Sequence, residues 1–184
     1  MEKLAWYEDD EKAERLIRLG HTWQLKVIER LRSRGIDARQ AGVYGFREHI
    51  SQRAEYKDDR DVLIVIPGWD HPLWVEVKSW GYAFGDDPTS YPTETKGFPS
   101  HAVHFETVKR RETRGYDPVA WVLVSRKTNG VLAIPANESS DFFTSGEVHD
   151  IDRDININWW CCWRHKLRSF SWLCQSLGGG DGNI

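Results

Sequence analysis

Two acidic residues and a lysine in the first half of the chain have a spacing that suits metal-assisted chemistry. Glu76 and Lys78 lie two residues apart inside the apolar run PLWVEVKSW, and Asp61 opens another apolar run, DVLIVI. Alternate side chains of a β-strand share a face, so Glu76 and Lys78 would point to one side and Val77 to the other. Taken alone, this pattern favours an ordinary strand with one solvent-facing side.

The turn between the two runs brings Asp61 toward Glu76. Because PGWDHP separates two β-like runs, residues 61–66 and 73–78 are predicted to form an antiparallel hairpin. A hairpin centred on Gly68 and Trp69 places Asp61 opposite Glu76, with Cβ atoms about 5 Å apart. Two opposed carboxylates repel each other, so the pair favours a bound Mg²⁺ or Mn²⁺, with the backbone carbonyl of Val77 as another candidate ligand.

The elements that must position this hairpin follow from hydrophobic periodicity. Apolar residues recur every three or four positions from about residue 10 to residue 34. This spacing predicts one amphipathic helix, or two with a joint at Gly20, ended by Gly35. IDARQAGVYGF would then be a short strand and turn. Residues 81–100 are rich in glycine, proline, serine and threonine, which is typical of a long functional or mobile loop.

The second half of the chain has both helical and strand patterns. Residues 101–114 are predicted to form a helix with a basic side. Residues 119–125 and 130–135 are predicted to be strands, because the Asn-Gly pair between them is a strong hairpin signal. An edge strand is predicted over residues 149–160, and a closing helix over residues 163–177.

Length and composition favour one intracellular domain. The 184 residues predict an α/β domain, a mixed sheet flanked by helices, over residues 1–177, followed by a flexible tail over residues 178–184. A net charge of -3 excludes a strong global attraction to nucleic acid. Three cysteines without a framework spacing favour reduced thiols, and no spacing supports a zinc site that uses His101 and His104. No apolar run reaches the length of a membrane span, so a cytoplasmic protein without membrane association is expected.

The acidic hairpin resembles the signature of the PD-(D/E)XK nuclease superfamily. That signature is an acidic residue, a variable spacer and (D/E)-x-K on the next strand, and Asp61 followed by Glu76 to Lys78 is similar to it. Arg60 stands where the superfamily name has proline. The predicted order of helix, acidic hairpin, helix and strand also resembles the restriction-endonuclease-like core. The resemblance covers about residues 11–135.

The first helix resembles that of the archaeal Holliday-junction-resolvase branch. In that branch a glycine is followed four residues later by a metal-associated glutamate. In this chain Gly20 is followed at that position by Gln24. Glutamine can hold a metal-bound water but brings no charge, so either Gln24 takes that role or Glu14 or Glu29 substitutes for the acid.

The resemblance implies metal-dependent hydrolysis of DNA phosphodiester bonds by an endonuclease. Asp61 and Glu76 would hold one or two Mg²⁺ or Mn²⁺ ions, and Lys78 would position the attacking water. A homodimer is an expectation of the resemblance only. The alternatives are a non-catalytic nucleic-acid-binding or assembly module of the same fold, or an unrelated α/β scaffold. Asp61, Glu76 and Lys78 together favour the enzyme, whereas Gln24 in place of an acid favours the module.

Two further groups of residues bear on substrate binding. Basic residues of the predicted second helix would track a DNA backbone or form a solvated face: Lys109, Arg110, Arg111 and Arg114. Aromatic residues of the long loop would stack on unpaired bases or pin the loop to the core: Trp80, Tyr82, Phe84, Tyr91 and Phe98.

Overall fold

A computed structural model describes the fold for residues 10–41, 60–150 and 155–178. Three α-helices and nine strands lie within these ranges. In chain order they are α1 Asp10–Arg32, β1 Asp37–Gln40, β2 Val62–Val65, β3 Leu73–Trp80, β4 Ala102–Thr107, α2 Val108–Arg114, β5 Ala120–Ser125, β6 Val131–Pro135, β7 Phe143–Asp150, β8 Ile155–Trp163, β9 Arg168–Ser169 and α3 Phe170–Gly178. None of the described helices has both the length and the apolar character needed to cross a membrane.

The strands form two sheets. The larger sheet has the order β1-β2-β3-β5-β6-β9, in which β3 and β5 are parallel and all other neighbours are antiparallel. The smaller sheet has the order β4-β8-β7 and is antiparallel. The predicted α/β class, with a mixed sheet and helices, is confirmed.

Helix α1 lies against one face of the larger sheet. It is continuous through Gly20, so the predicted alternative with a joint there is wrong. Gly35 follows its last turn with a φ of 80°, a left-handed conformation that glycine adopts without steric cost. The apolar side of α1 packs into the first core through Trp23, Val27 and Leu31.

Alternate side chains of β5 point into two different hydrophobic cores. Ala120, Val122 and Val124 belong to the core that contains α1 and α3, whereas Trp121 and Leu123 belong to the core that contains β4 and β8. Burying each large apolar side chain contributes about 1.5–3 kcal/mol relative to leaving it exposed, so the larger sheet is stabilised from both faces. The hairpin of β2 and β3 therefore belongs to a sheet that packs against other elements on both faces.

The helix predicted over residues 101–114 forms only in its second half. Residues Ala102–Thr107 form β4, which pairs with β8. Helix α2 begins after Thr107, whose side-chain oxygen accepts a hydrogen bond from the backbone N–H of Arg110 at 3.2 Å. The β-branched and aromatic residues of AVHFET pair with a neighbouring strand and fill the second core, and this environment overrides the helical spacing.

The edge strand and the closing helix predicted near the C-terminus also differ from the structure. The single edge strand predicted from residue 149 is instead the end of β7 and the start of β8, and β8 lies at the centre of the smaller sheet. The closing helix begins only at Phe170, because Arg164–Lys166 forms a 3-10 turn and Arg168–Ser169 pairs with β6. The predicted tail falls outside the described residues except for Gly178.

Candidate functional site

Strands β2 and β3 pair in the register predicted from the sequence. Val62 lies opposite Val75, and the same register continued by one residue places Asp61 opposite Glu76. The antiparallel hairpin is therefore confirmed. Asp61 also contacts β3 through its side chain, because its Oδ2 accepts the backbone N–H of Val77 at 2.7 Å.

The side of β3 that carries Glu76 and Lys78 is covered by protein. Trp74 is only 7% exposed and Glu76 is fully buried, so the solvent-facing side predicted for this strand is wrong. Two arginines of α2, Arg110 and Arg114, make ion-pair contacts with Glu76. The correction follows from the corrected fold, because β4 brings α2 back over β3.

Asp61 is held by groups from two different elements. Gln24 of α1 donates its side-chain N–H to Asp61 Oδ1 at 2.8 Å, while Oδ2 accepts from Val77. The two bonds fix the carboxylate at the start of β2, where it is 9% exposed. The structure thus brings Gln24 to Asp61. Of the other candidates, Glu29 is exposed, and the side chain of Glu14 lies outside the described part of the structure.

Glu76 is bound on one oxygen by two cations. Its Oε1 lies 2.6 Å from Lys78 Nζ and 2.8 Å from Arg110 Nη2. Its Oε2 lies 3.8 Å from Arg114 Nη1, and no hydrogen bond reaches it from any described residue. Burial raises the pKa of Glu76 to about 8 against the opposing effect of Arg110, and the nearby charge of Asp61 acts in the same direction as burial.

Glu106, at the end of β4, is a further buried carboxylate that was not among the predicted site residues. Its Oε2 accepts from Arg114 Nη2 at 2.6 Å and from Trp121 Nε1 at 2.7 Å. Its Oε1 lies 3.1 Å from Lys78 Nζ and 3.5 Å from Arg110 Nε. Burial alone would raise the pKa of Glu106, but the three cations outweigh it and hold the pKa at about 2.

A signal for Glu106 is present in the sequence. Glu106 is the only charged residue in the run AVHFET, and arginines follow it four and eight positions later, at Arg110 and Arg114. Arg110 lies within reach of Glu106 because β4 passes directly into α2. A buried acid next to a basic helix is therefore readable once the first half of the segment is recognised as a strand.

Three carboxylates and three cations form what we call the carboxylate cluster: Asp61, Glu76, Glu106, Lys78, Arg110 and Arg114. Burial and Arg110 act to lower the pKa of Lys78, but the carboxylates overcome them and raise it, so the ammonium stays charged. Across the described ranges, no group of three or more His, Cys, Asp or Glu side chains is arranged to hold a metal ion. When all three acids are ionised, their charges match those of the three cations, so a new ion enters by exchange with a resident partner.

The predicted basic stripe on α2 does not face solvent as a unit. Lys109 is exposed, whereas Arg110 and Arg114 turn toward the carboxylates. Arg111 makes two hydrogen bonds to Asp117, at 2.7 and 2.5 Å. Of these four residues, Lys109 is the exposed one.

The aromatic residues of the long loop divide into two sets. Phe84 and Tyr91 are buried in the second core, which is the pinning role that the sequence offered as one alternative. The ring of His104, which is 3% exposed, is surrounded by four half-buried rings. These rings are Trp80, Tyr82, Phe98 and Trp159, and together with His104 they form what we call the histidine cluster.

Comparison of the chain with protein-family models, with curated proteins and with solved structures returns no match. The function is therefore inferred from the residues of the carboxylate cluster themselves.

Proposed function

We propose that the protein is a metal-dependent nuclease, an endonuclease that hydrolyses DNA phosphodiester bonds, on a restriction-endonuclease-like core. The main support is that α1 and the β2–β3 hairpin bring the four signature positions into one place: Gln24, Asp61, Glu76 and Lys78. The elements α1, acidic hairpin, α2 and β5 follow one another as the resemblance implies, with β1 before the hairpin and β4 between the hairpin and α2.

The donor set of the cluster fits Mg²⁺ or Mn²⁺. Carboxylate oxygens are hard ligands, and Asp61 is close enough for its charge to raise the pKa of Glu76. Glu76 Oε2 is buried without a hydrogen bond from any described group, so it retains the capacity to bind a cation. Asp61 and Glu76 would hold the ion, with the carbonyl of Val77 as a further candidate. A bound ion would polarise the scissile phosphate and lower the pKa of a bound water.

The residues around the carboxylates have complementary roles in this proposal. Lys78 is held between Glu76 and Glu106 in its charged form, so its ammonium can orient a water or a phosphate oxygen. Gln24 keeps the Asp61 carboxylate in position from α1. Local cations also offset the repulsion between a phosphodiester and a chain of net charge -3.

A cleavage assay tests the proposal. Plasmid, linear, single-stranded and branched DNA are incubated with the purified protein in Mg²⁺, Mn²⁺ or EDTA. We expect cutting with either metal and none with EDTA, and we expect Glu76→Gln and Lys78→Ala to lose it. Glu147→Gln, at an exposed position of β7, is the matched control for loss of a carboxylate. If all four substrates stay intact, or if Glu76→Gln cuts as fast as the parent, the proposal is wrong.

A non-catalytic DNA-binding or assembly module is the second candidate. It is favoured by the two cations that already occupy Glu76 Oε1, since a closed ion-pair network needs no metal. Such a module would bind DNA equally well in EDTA and in Mg²⁺ and would cut none of the substrates. The homodimer expected from the resemblance is a separate prediction, which a mass measurement in solution tests.

A further inference from the structure

One guanidinium joins two buried carboxylates of the cluster. Arg110 Nη2 lies 2.8 Å from Glu76 Oε1, and Arg110 Nε lies 3.5 Å from Glu106 Oε1. Both carboxylates are fully buried. When both are ionised, two buried like charges are strongly unfavourable without a cation between them, so Arg110 occupies a position where the ionised cluster requires positive charge.

The three cations of the cluster differ in how tightly they are held. The Arg114 side chain is 1% exposed, donates to Glu106 and to the carbonyl of Tyr116, and lies over the ring of Trp74. The Lys78 side chain is 16% exposed and bridges both glutamates, whereas the Arg110 side chain is 36% exposed. Arg110 is therefore the cation that can leave the cluster for solvent with the least loss of packing.

The cluster also has unused hydrogen-bonding capacity. The buried atoms of the cluster that make ion-pair contacts but no hydrogen bond to any described group include Glu76 Oε2, Glu106 Oε1 and Arg114 Nη1. Buried polar atoms are rarely left in this state, and two of those named here are carboxylate oxygens of the glutamates that Arg110 contacts. Oxygens of this kind are acceptors for a cation.

We infer that Arg110 is an exchangeable counter-ion and that a divalent cation binds at Glu76 and Glu106 by displacing it. The inference rests on the proposed function for the identity of the cation, Mg²⁺ or Mn²⁺, and adds Glu106 as a ligand. A divalent ion brings two charges where Arg110 brings one, and it accepts several oxygens at once. The released guanidinium is then available to bind a substrate phosphate through charge-assisted hydrogen bonds.

Displacement also accounts for the present arrangement of the acids. Glu76 Oε1 and Glu106 Oε1 both contact the same two protein cations, Lys78 and Arg110, so the place where the acids could share a metal ion is occupied. This agrees with the finding that the described acidic, histidine and cysteine side chains form no ready-made group of three for a metal. Metal binding is predicted to require movement of one side chain, with the sheet unchanged.

Calorimetric titration of the full chain with Mn²⁺, without DNA, tests the inference. We expect Arg110→Gln to bind Mn²⁺ about tenfold more tightly than the parent, which corresponds to removal of a competitor worth about 1.4 kcal/mol. Arg111→Gln is the matched control, because it removes the same charge from the neighbouring position of α2 but from a side chain bound to Asp117. Glu106→Gln is expected to weaken Mn²⁺ binding by about tenfold or more, as for the loss of a charged ligand.

Two further variants and a control separate competition from damage to the fold. Arg110→Lys keeps the competing charge and is expected to bind Mn²⁺ with nearly the affinity of the parent. Circular dichroism in EDTA establishes that each variant is folded before titration. If Arg110→Gln is unfolded, the other three variants test the inference. Only Glu106→Gln is then expected to weaken Mn²⁺ binding, whereas Arg110→Lys and Arg111→Gln should bind as the parent does.

The outcomes distinguish this inference from the proposed function. Equal or weaker Mn²⁺ binding by Arg110→Gln, an equal gain in Arg111→Gln, full affinity in Glu106→Gln, or no Mn²⁺ binding by parent and variants would each overturn the inference. If Arg110→Gln binds Mn²⁺ more tightly but no DNA is cut, the proposed function fails and the exchange stands. If the parent cuts DNA with metal and Arg110→Gln shows no gain, the exchange fails and the nuclease stands.

Discussion

Two buried ionisable clusters lie along the same side of β3 and differ in how they handle charge. In the carboxylate cluster, Glu76 and Lys78 are paired with partners from β4 and α2. Further along the strand, Trp80 belongs to the histidine cluster, where His104 is surrounded by aromatic rings. Burial lowers the pKa of His104 to about 3, so the ring stays neutral at physiological pH.

This difference in charge indicates which of the two clusters is the better candidate for a functional site. Aromatic packing around a neutral ring is stabilised by burial and ring contacts, and needs no further purpose. Paired buried charges carry a desolvation penalty that well-packed apolar residues would avoid. Of the two clusters on this strand, only the carboxylate cluster keeps buried charges, and that is why we propose the chemistry there.

The largest effect is expected from breaking the paired cluster. Arg114→Met removes a guanidinium whose side chain is 1% exposed and leaves Glu106 short of its closest cation. We expect the free energy of unfolding to fall by about 3–5 kcal/mol, the range for breaking a buried pair on one side. Denaturant unfolding measures it.

Lys109→Met is the control for that substitution, because Lys109 is exposed on the same helix and should change stability by less than about 0.5 kcal/mol. If the two methionine variants unfold at the same denaturant concentration, the carboxylate cluster does not depend on internal pairing.

A pH titration of stability addresses the histidine cluster. Between the ordinary pKa of 6.5 and the lowered value of about 3, the unfolded chain binds a proton at His104 and the folded chain does not. The stability is therefore present above pH 6.5 and is lost as the pH falls, by at most about 1.4 kcal/mol per pH unit. Denaturant unfolding of the parent and of His104→Phe at several pH values measures the difference, and parallel curves would show that His104 titrates normally.

A smaller effect is expected at the junction of α1 and the hairpin. Gln24→Glu places a further acid beside Asp61 and replaces a hydrogen-bond donor with a charge, so the variant should lose about 1 kcal/mol of stability in EDTA. If Asp61 is a metal ligand, Mn²⁺ should restore more stability to this variant than to the parent. Thermal unfolding with and without Mn²⁺ measures both, and equal responses to the metal would remove Gln24 from the site.

The parts that were predictable from the sequence are those determined locally. The register of β2 and β3 follows from the PGWDHP turn, and the end of α1 follows from Gly35. The hairpin of β5 and β6 follows from Asn129, whose φ of 60° is the left-handed conformation that such a turn requires. Each of these signals lies within a few residues of the structure that it specifies.

The parts that were not predictable depend on distant neighbours. AVHFET forms a strand because β8, more than fifty positions later in the chain, pairs with it. The burial of Glu76 depends on that pairing, since β4 carries α2 back over β3. The role of Glu106 depends on Lys78, Arg114 and Trp121 from three different elements, and no local pattern in a single sequence contains that set.

The most direct test of the central claim is the rate of DNA cleavage in Mg²⁺ by the parent and by Glu76→Gln at saturating protein. The account predicts cleavage that requires the metal, stops in EDTA and slows by about a hundredfold or more in the variant, as expected when charge stabilisation at a metal site is lost. Cleavage at the same rate by Glu76→Gln, or no cleavage by the parent with any metal, would contradict it.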